Sequence, residues 1–294
     1  MTNGTVMVPG YEILEEIYDG SRTVVYRGLR QGDDKAVIIK ILKNEYPTFN
    51  ELLQFRNQYT IALNLNLPGI IKPLSLERYG NGYALVMEDI GAISLAEYAA
   101  ERELGLPEIL TVGISIVETL EGLYQNRVIH KDIKPSNILI NPETKEIKLI
   151  DFSISTLLPR ENQEVQNPNV LEGTLAYMSP EQTGRMNRGI DYRTDFYSLG
   201  VSLYELLVGK LPFESSDPME LVHSQIARKP KPPSQIKPEL PKTISNIILK
   251  LMAKTPEQRY QSARGILFDL ETSLQQWETN GSISHFLLGQ PIDL

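Results

Sequence analysis

The sequence predicts an α+β protein in which strands come first and helices follow. Three short runs rich in β-branched and aromatic residues lie before residue 43, and most of the later chain has helical apolar spacing. A polar loop stands between two apolar runs, Val128–Ile129 and Ile138–Ile140. The 294 residues, 41% of them hydrophobic, suffice for one large domain or two smaller lobes.

The composition argues against several classes of function. The formal net charge is −8 and no basic cluster is present, so we expect neither nucleic acid nor an anionic membrane as a partner. The absence of cysteine excludes disulfides and thiol catalysis and fits a reducing compartment. No apolar run approaches the roughly 20 residues that span a bilayer, and the first residues lack a signal-peptide pattern. We therefore expect a soluble, cytoplasmic protein.

The N-terminal strands are predicted at 11–17, 23–26 and 36–42, as three adjacent antiparallel strands joined by turns. Lys40 lies near the end of the third strand, among apolar residues. A buried lysine needs a partner, so Lys40 is a candidate for binding an anion. The alternative is an ordinary strand-end lysine that reaches solvent.

A helix and a fourth strand complete this part of the chain. Apolar residues at helical spacing predict a helix over 48–63, and Thr48 with Glu51 forms a capping box at its start. An apolar strand over 84–91 then runs into a polar link. Any strand that ends in glycine gives a similar pattern, so this second prediction is the weaker one.

The polar loop carries the residues of greatest chemical interest. Asp132 can accept the proton of a hydroxyl group, and Lys134 can lie beside a transferred phosphate. Asn137 and Asp151 are hard oxygen ligands of the kind that Mg²⁺ prefers. Phosphoryl transfer needs such positioning and charge neutralisation more than covalent help. The alternative is a turn in which Asp, Asn and Pro serve backbone geometry alone.

The run His130–Asn137, followed by Asp151–Ser153, resembles the catalytic loop and metal-binding motif of eukaryotic-type (Hanks-type) serine/threonine protein kinases. The resemblance covers residues 11–277, and Phe286–Gln290 resembles the exit from the N-terminal kinase module of large bacterial multidomain sensor-type kinases. It implies a bilobal protein kinase fold, with a small antiparallel β lobe carrying one regulatory helix and a larger, mainly helical lobe. The implied segments are an N-terminal extension (1–10), the small lobe (11–89), the large lobe (90–277) and a C-terminal linker or tail (278–294).

The resemblance also implies an activity, its cofactors and its partners. The chain would transfer the γ-phosphate of ATP, with Mg²⁺, to a serine or threonine of a protein substrate. Asp132 would be the base, Lys134 would steady the γ-phosphate, Lys40 would grip the α- and β-phosphates, and Asn137 with Asp151 would hold Mg²⁺. Further signalling domains or partners would join through the tail. The other residues implied to line the ATP site are Gly20, Val25, Ile38, Met87, Glu88, Ile90 and Leu139.

Three departures from the family pattern leave a second interpretation open. Two positions of the glycine-rich loop hold Tyr18 and Thr23, the helix glutamate is replaced by Gln58, and the glycine of the metal motif is replaced by Ser153. A catalytically weak or inactive pseudokinase, serving as an ATP-binding regulatory or scaffold module, is therefore the main alternative. A small-molecule kinase on the same fold is a third.

The rest of the chain yields predictions about regulation and packing. A polar segment over 155–178 is the predicted activation loop, and its candidate phosphorylation sites are Ser155, Thr156 and Thr174. The resemblance implies that Glu181 pairs with Arg259 and that Asp195 braces the catalytic-loop backbone. Helices are predicted near 94–102, 107–126, 194–209, 218–228, 242–254 and 262–277.

Overall fold

The computed structural model describes residues 7–157, 175–186 and 188–290. These residues form two compact units. The first runs to Ala92 and also takes in Ile150–Ile154, and the second holds Ile93–Leu149 and the described residues from Ser155 onward. The first is a small β unit and the second is larger and mainly helical, as the sequence predicted.

The first unit is an antiparallel sheet with one helix. Its strands follow the order β1-β2-β3-β5-β4. The sequence did not predict β4, because its residues include no β-branched side chain and it begins with a proline, which is confined to edge or first positions of a strand. The elements are β1 (Tyr11–Asp19), β2 (Thr23–Arg30), β3 (Lys35–Leu42), α1 (Phe49–Asn64), β4 (Pro73–Tyr79) and β5 (Gly82–Glu88).

Strand β3 sets the two faces of this sheet. Val37, Ile39 and Ile41 alternate along it and are at most 5% exposed, so they form the centre of one apolar cluster. Because side chains alternate across a strand, Ile38 and Lys40 point to the opposite face. The core of the unit therefore decides which face Lys40 takes.

Helix α1 begins at the predicted capping box. The Thr48 hydroxyl accepts from the backbone N–H of Glu51, whose carboxylate in turn accepts from the Thr48 N–H at 2.8 Å. The hydrogen bond from the Thr48 backbone, together with that from its side chain, outweighs partial burial and lowers the pKa of Glu51. The carboxylate of Glu51 thus serves the helix start.

The second unit is built around a nearly enclosed helix. Thirteen of the 16 residues of α4 are buried, as its apolar sequence predicted. A small sheet, β6-β8-β9, and the pair β7-β10 complete the unit. The elements are β6 (Ile93–Ser94), α2 (Leu95–Ala100), α3 (Leu106–Gln125), β7 (Val128–Ile129), β8 (Ile138–Ile140), β9 (Ile147–Leu149), β10 (Thr156–Leu157), α4 (Arg193–Val208), α5 (Pro218–Ala227), α6 (Lys242–Leu251) and α7 (Ala263–Asn280).

A buried ion pair joins two distant parts of the second unit. Arg259 donates to both carboxylate oxygens of Glu181, at 2.6 and 2.8 Å, and the two residues are 1% and 2% exposed. Burial alone would raise the pKa of Glu181, but the hydrogen bonds and charge of Arg259 outweigh it and the pKa is lowered. The predicted pairing of these two residues is confirmed.

The segment after α7, predicted as a linker or tail, makes defined contacts over its described residues. Helix α7 extends to Asn280 and ends at Gly281, which takes a left-handed conformation with φ of +64°. Residues 284 to 289 then make hydrogen bonds to α6 and α7. The described part of the tail therefore packs on the second unit. Within the described ranges, we find no helix with the length and apolar character required of a membrane span.

We predict that Arg259→Met destabilises the protein by roughly 3–5 kcal/mol, because it leaves the Glu181 carboxylate buried without its cation. Urea unfolding at neutral pH measures the free energy of unfolding. The matched control is Arg188→Met, which removes an exposed pair with Glu257 at 2.5 Å and is expected to cost under about 1 kcal/mol. Equal losses in the two variants would contradict a structural role for the buried pair.

Candidate active site

The backbone of the polar loop is held by one buried carboxylate. Asp195, in the first turn of α4, accepts the N–H of His130 at 2.8 Å and the N–H of Lys131 at 2.7 Å. Lys131 has a φ of +70°, a conformation that non-glycine residues rarely adopt. Burial raises the pKa of Asp195, and the two N–H donors act in the opposite direction. The predicted brace is confirmed.

The side chain of Asp132 is held on one side only. Its Oδ2 accepts from Asn137 Nδ2 at 2.7 Å and lies 2.9 Å from Lys134 Nζ. Its Oδ1 is buried and finds no hydrogen-bond partner among the described residues. Lys134 and Asn137 thus fix the direction of this carboxylate.

The orientation of Asn137 suits it to bind a cation. Its amide nitrogen donates to the Asp132 carboxylate and also to the Asp132 main-chain carbonyl, at 2.9 Å. An amide presents its oxygen on the side opposite its nitrogen, so the Oδ1 of Asn137 faces away from Asp132. Within the described ranges, no group of three or more His, Asp or Glu side chains forms a metal centre. Mg²⁺ does not need one, because it is commonly held by one or two protein oxygens together with phosphates and water.

Lys40 of the first unit has two oxygen partners. Its Nζ lies 3.3 Å from Gln58 Oε1 and 3.3 Å from Asp151 Oδ2. Gln58 thus supplies a neutral oxygen where the family pattern has the helix glutamate, and the ion pair with Asp151 was not predicted. Lys40 is thus held by residues from α1 and from the 150–154 segment.

Asp151 adopts a strained backbone conformation that aims its carboxylate. Its φ is +67° and its Oδ1 accepts the N–H of Ser153 at 3.3 Å. Phe152, 2% exposed, anchors the segment. Ser153 itself is not in the left-handed region, so a side chain at this position brings no backbone strain.

Four of the predicted ATP-site residues share one face of the first sheet. Val25 pairs with Lys40 across β2 and β3, and Ile38 pairs with Met87 across β3 and β5. Directly paired residues point to the same face, and Ile38 lies two residues before Lys40. The first unit therefore groups an ammonium and three apolar side chains. Leu139 lies on β8 of the second unit, opposite Ser94.

The polar link after β5 is held in place by an acid that the sequence reading missed. Asp89 accepts from Arg27 Nε at 2.6 Å and from the Gly91 N–H at 2.8 Å. The N–H of Glu88 donates to the Lys72 carbonyl at 3.0 Å. Any contact between Glu88 and a nucleotide base would therefore use the Glu88 carbonyl. Ile90 lies within the turn that the hydrogen bond from the Gly91 N–H to Asp89 closes.

Gly20, the one glycine of the family pattern that this chain keeps, lies in the turn between β1 and β2. The strands pair as far as Asp19 and Val24, and the Gly20 N–H donates to the Thr23 carbonyl at 2.9 Å. A Cβ atom on Gly20 would come within 2.5 Å of the Tyr18 ring. The exposed ring of Tyr18, which replaces the first glycine of the family pattern, therefore lies directly against Gly20.

The second unit contributes one further contact that the sequence reading missed. Gln182 donates from Nε2 to the Lys131 carbonyl at 2.9 Å, and its Oε1 accepts the Ser179 N–H at 3.0 Å. The signal was available, because Ser179 and Gln182 have the spacing of a capping box. Gln182 ties the Ser179–Glu181 segment to the polar loop.

One predicted phosphorylation site is wrong in this conformation. Ser155 is 2% exposed and its hydroxyl donates to the His130 carbonyl at 3.0 Å, so it is closed to an incoming phosphate. The polar composition of the segment does not reveal this burial, because the hydrogen-bond partner of Ser155 lies 25 residues earlier in the chain. Thr174 and the side chain of Thr156 lie outside the described residues.

Comparisons with known proteins found a matching family profile and similar kinases. The sequence profile of the protein kinase domain matches residues 11–267. A probable serine/threonine-protein kinase of Clostridium perfringens is 32% identical over 91% of this chain, PrkC of Bacillus subtilis 33% over 90%, and PknB of Mycobacterium tuberculosis 32% over 92%. The last two are named serine/threonine-protein kinases. The chain spans 39%, 40% and 44% of the length of these relatives.

Proposed function

Because the chain belongs to the protein kinase domain family, we propose that it transfers the γ-phosphate of ATP to a serine or threonine hydroxyl of a protein substrate in signalling. The observation that carries this proposal is the contact of the Asp132 carboxylate with Lys134, at 2.9 Å, and with Asn137, at 2.7 Å. A carboxylate that can orient a substrate hydroxyl therefore lies directly beside an ammonium that can neutralise a phosphate.

Asp132 and Lys134 divide the work at the acceptor. Asp132 accepts the hydrogen bond of the hydroxyl, orients its oxygen and takes its proton. Lys134, 17% exposed at its side chain, carries the ammonium that neutralises the transferred phosphate. Their contact at 2.9 Å keeps the two groups in register. Protein kinase relatives with serine/threonine specificity support a protein acceptor.

ATP would bind through the grouped face of the first unit. Lys40 holds the α- and β-phosphates, and Val25, Ile38 and Met87 supply apolar surface for the base. Gly20 lies at the turn that would cover the phosphates, and the link at Glu88 and Ile90 offers backbone groups, with Leu139 as a further apolar contact. The grouping of one ammonium with apolar side chains supports this assignment.

Asn137 and Asp151 would hold Mg²⁺, since both present hard oxygens and Asn137 turns its oxygen away from Asp132. The bound ion would neutralise charge on the phosphates during transfer. A kinase works where ATP is available, so we propose a cytoplasmic location. We also propose that further signalling domains or partners join through the tail. Neither nucleic acid nor a membrane is proposed as a direct partner.

The departures that suggested a pseudokinase do not remove any of these groups. Gln58 still gives Lys40 an oxygen at 3.3 Å, Ser153 brings no backbone strain, and the exposed ring of Tyr18 lies against Gly20. Each change lies beside the groups that would touch ATP or substrate. The active kinase therefore stands as the proposal.

We predict that Asp132→Asn lowers phosphate transfer about 10²- to 10⁴-fold, because the hydroxyl loses the acceptor of its proton. Incorporation of labelled γ-phosphate into the protein itself and into a generic serine/threonine substrate measures the effect. Asp217→Asn, which makes the same charge change at the start of α5, is the control and should retain full transfer.

Thermal shift with ATP separates the remaining outcomes of this experiment. Wild-type protein that binds ATP but transfers no phosphate would contradict the proposal and favour a regulatory pseudokinase. Wild-type protein that does neither would also overturn the roles of Lys40 and Asp151. Transfer that survives in Asp132→Asn would show that another group acts as the base.

A second prediction concerns Gln58→Glu, which converts the neutral hydrogen bond to Lys40 into a charged one. Charge-assisted hydrogen bonds are about twice as strong as neutral ones, so a gain of about 1 kcal/mol in ordering Lys40 is expected. The dissociation constant for ATP should then fall about fivefold by calorimetry. The control is Gln54→Glu, one turn earlier on the same helix, and an equal gain in that variant would contradict the role of Gln58.

A further inference from the structure

The strap, defined as residues 282–290, is fixed to the second unit along its length. Among the described residues, hydrogen bonds join it to α6 and α7, and they include one to the first turn of α6 and one to a buried carboxylate. These bonds run from Thr243 Oγ1 to the Ser284 carbonyl at 3.1 Å, from the Ser284 N–H to Gln276 Oε1 at 2.8 Å, from Lys250 Nζ to the Leu288 carbonyl at 3.1 Å, and from the Gly289 N–H to Asp269 Oδ2 at 2.8 Å.

The last of these bonds reaches a buried carboxylate, which requires hydrogen-bond donors. Asp269 is 0% exposed, and its Oδ2 accepts from both the Gly289 N–H and the Tyr260 hydroxyl, the latter at 2.6 Å. A buried carboxylate depends on such donors, so the strap supplies part of what keeps Asp269 in place. Gly289 is itself buried with a φ of +78°, a conformation that glycine adopts without strain.

The strap also reaches Tyr260 through a lysine. Lys250 donates to the strap at Leu288 and lies 4.4 Å from the centre of the Tyr260 ring. Tyr260 is fully buried and directly follows Arg259. The hydroxyl of Tyr260 and its ring are therefore both set by groups that bind the strap.

Two routes lead from Arg259 to the backbone of Lys131. In the first, Arg259 binds Glu181, and the next residue, Gln182, donates to the Lys131 carbonyl. In the second, Arg259 Nη1 donates to the Arg193 carbonyl at 2.9 Å, in the same helical turn as Asp195, whose carboxylate holds the Lys131 N–H. Every one of these contacts lies within the second unit.

We propose that Asp269 is a positioning residue for the polar loop and that docking of the strap regulates it. When the strap is docked, Tyr260 and Arg259 maintain both chains of contacts to the Lys131 backbone. These contacts fix the direction of the Asp132 side chain. When the strap is displaced, the loop loosens and turnover falls. This proposal rests on the proposed function for its effect on turnover, but its structural effect is measurable without ATP.

The test uses Gly289→Ala, which disfavours the left-handed conformation that seats the strap. The control is Gly209→Ala, which imposes the same strain at a φ of +83° at the end of α4, where a Cβ atom meets nothing within 4 Å. Coupling of this kind changes a property by about 2- to 30-fold. We expect kcat to fall by such a factor with the KM for ATP unchanged, and the amides of His130 and Lys131 to exchange hydrogen faster by a similar factor in the absence of ATP.

Two results would overturn the proposal. One is Gly289→Ala that matches Gly209→Ala both in kcat and in the exchange of His130 and Lys131. The other is faster exchange spread evenly over core amides such as Ile116 of α3, which would show a loss of global stability only. Tyr260→Phe, which keeps the ring and removes only the donor to Asp269, provides the same readouts if Gly289→Ala does not fold. Should the wild type transfer no phosphate, the proposed function fails while the exchange rates still decide the role of the strap.

Discussion

The buried carboxylate of Asp195 is the constraint on which the candidate site depends. It satisfies two consecutive backbone N–H groups, those of His130 and Lys131, at a point where Lys131 takes a left-handed conformation. Such a conformation costs about 1–3 kcal/mol and persists only where the surroundings fix it. Asp132 follows directly, so the direction of its side chain is decided by a helix that lies more than sixty residues later in the chain.

The features that the sequence could predict are those with strong local signals. The alternation of β3 and the capping box of α1 are local patterns with a known physical cause, and both are present as expected. The polar loop was found because Asp132, Lys134 and Asn137 have a spacing that few structures require. The structure places Lys134 and Asn137 each in contact with the Asp132 carboxylate.

The features that were missed depend on partners distant in sequence. Asp89 looks like an ordinary loop acid until Arg27 is placed beside it, and Gly289 looks like part of a linker until the buried Asp269 is seen. Glycine and polar residues favour flexible connections in general, so composition pointed away from a docked tail. Ser155 was misjudged for the same reason, since its hydrogen-bond partner is a main-chain carbonyl 25 residues away.

The most direct test of the account is to separate turnover from nucleotide binding in Asp195→Asn. An asparagine has an NH2 donor in place of one of the two accepting oxygens, so one N–H loses its acceptor. Lys131 should then leave its left-handed conformation, and the Asp132 side chain should lose its fixed direction. We expect phosphate transfer to fall about 10²-fold, the loss that a misplacement of about 1 Å can cause, while ATP binding measured in EDTA changes little because Lys40 lies in the other unit. Turnover equal to that of the wild type, or an equal loss of binding and turnover, would contradict the claim that Asp195 acts by positioning the loop.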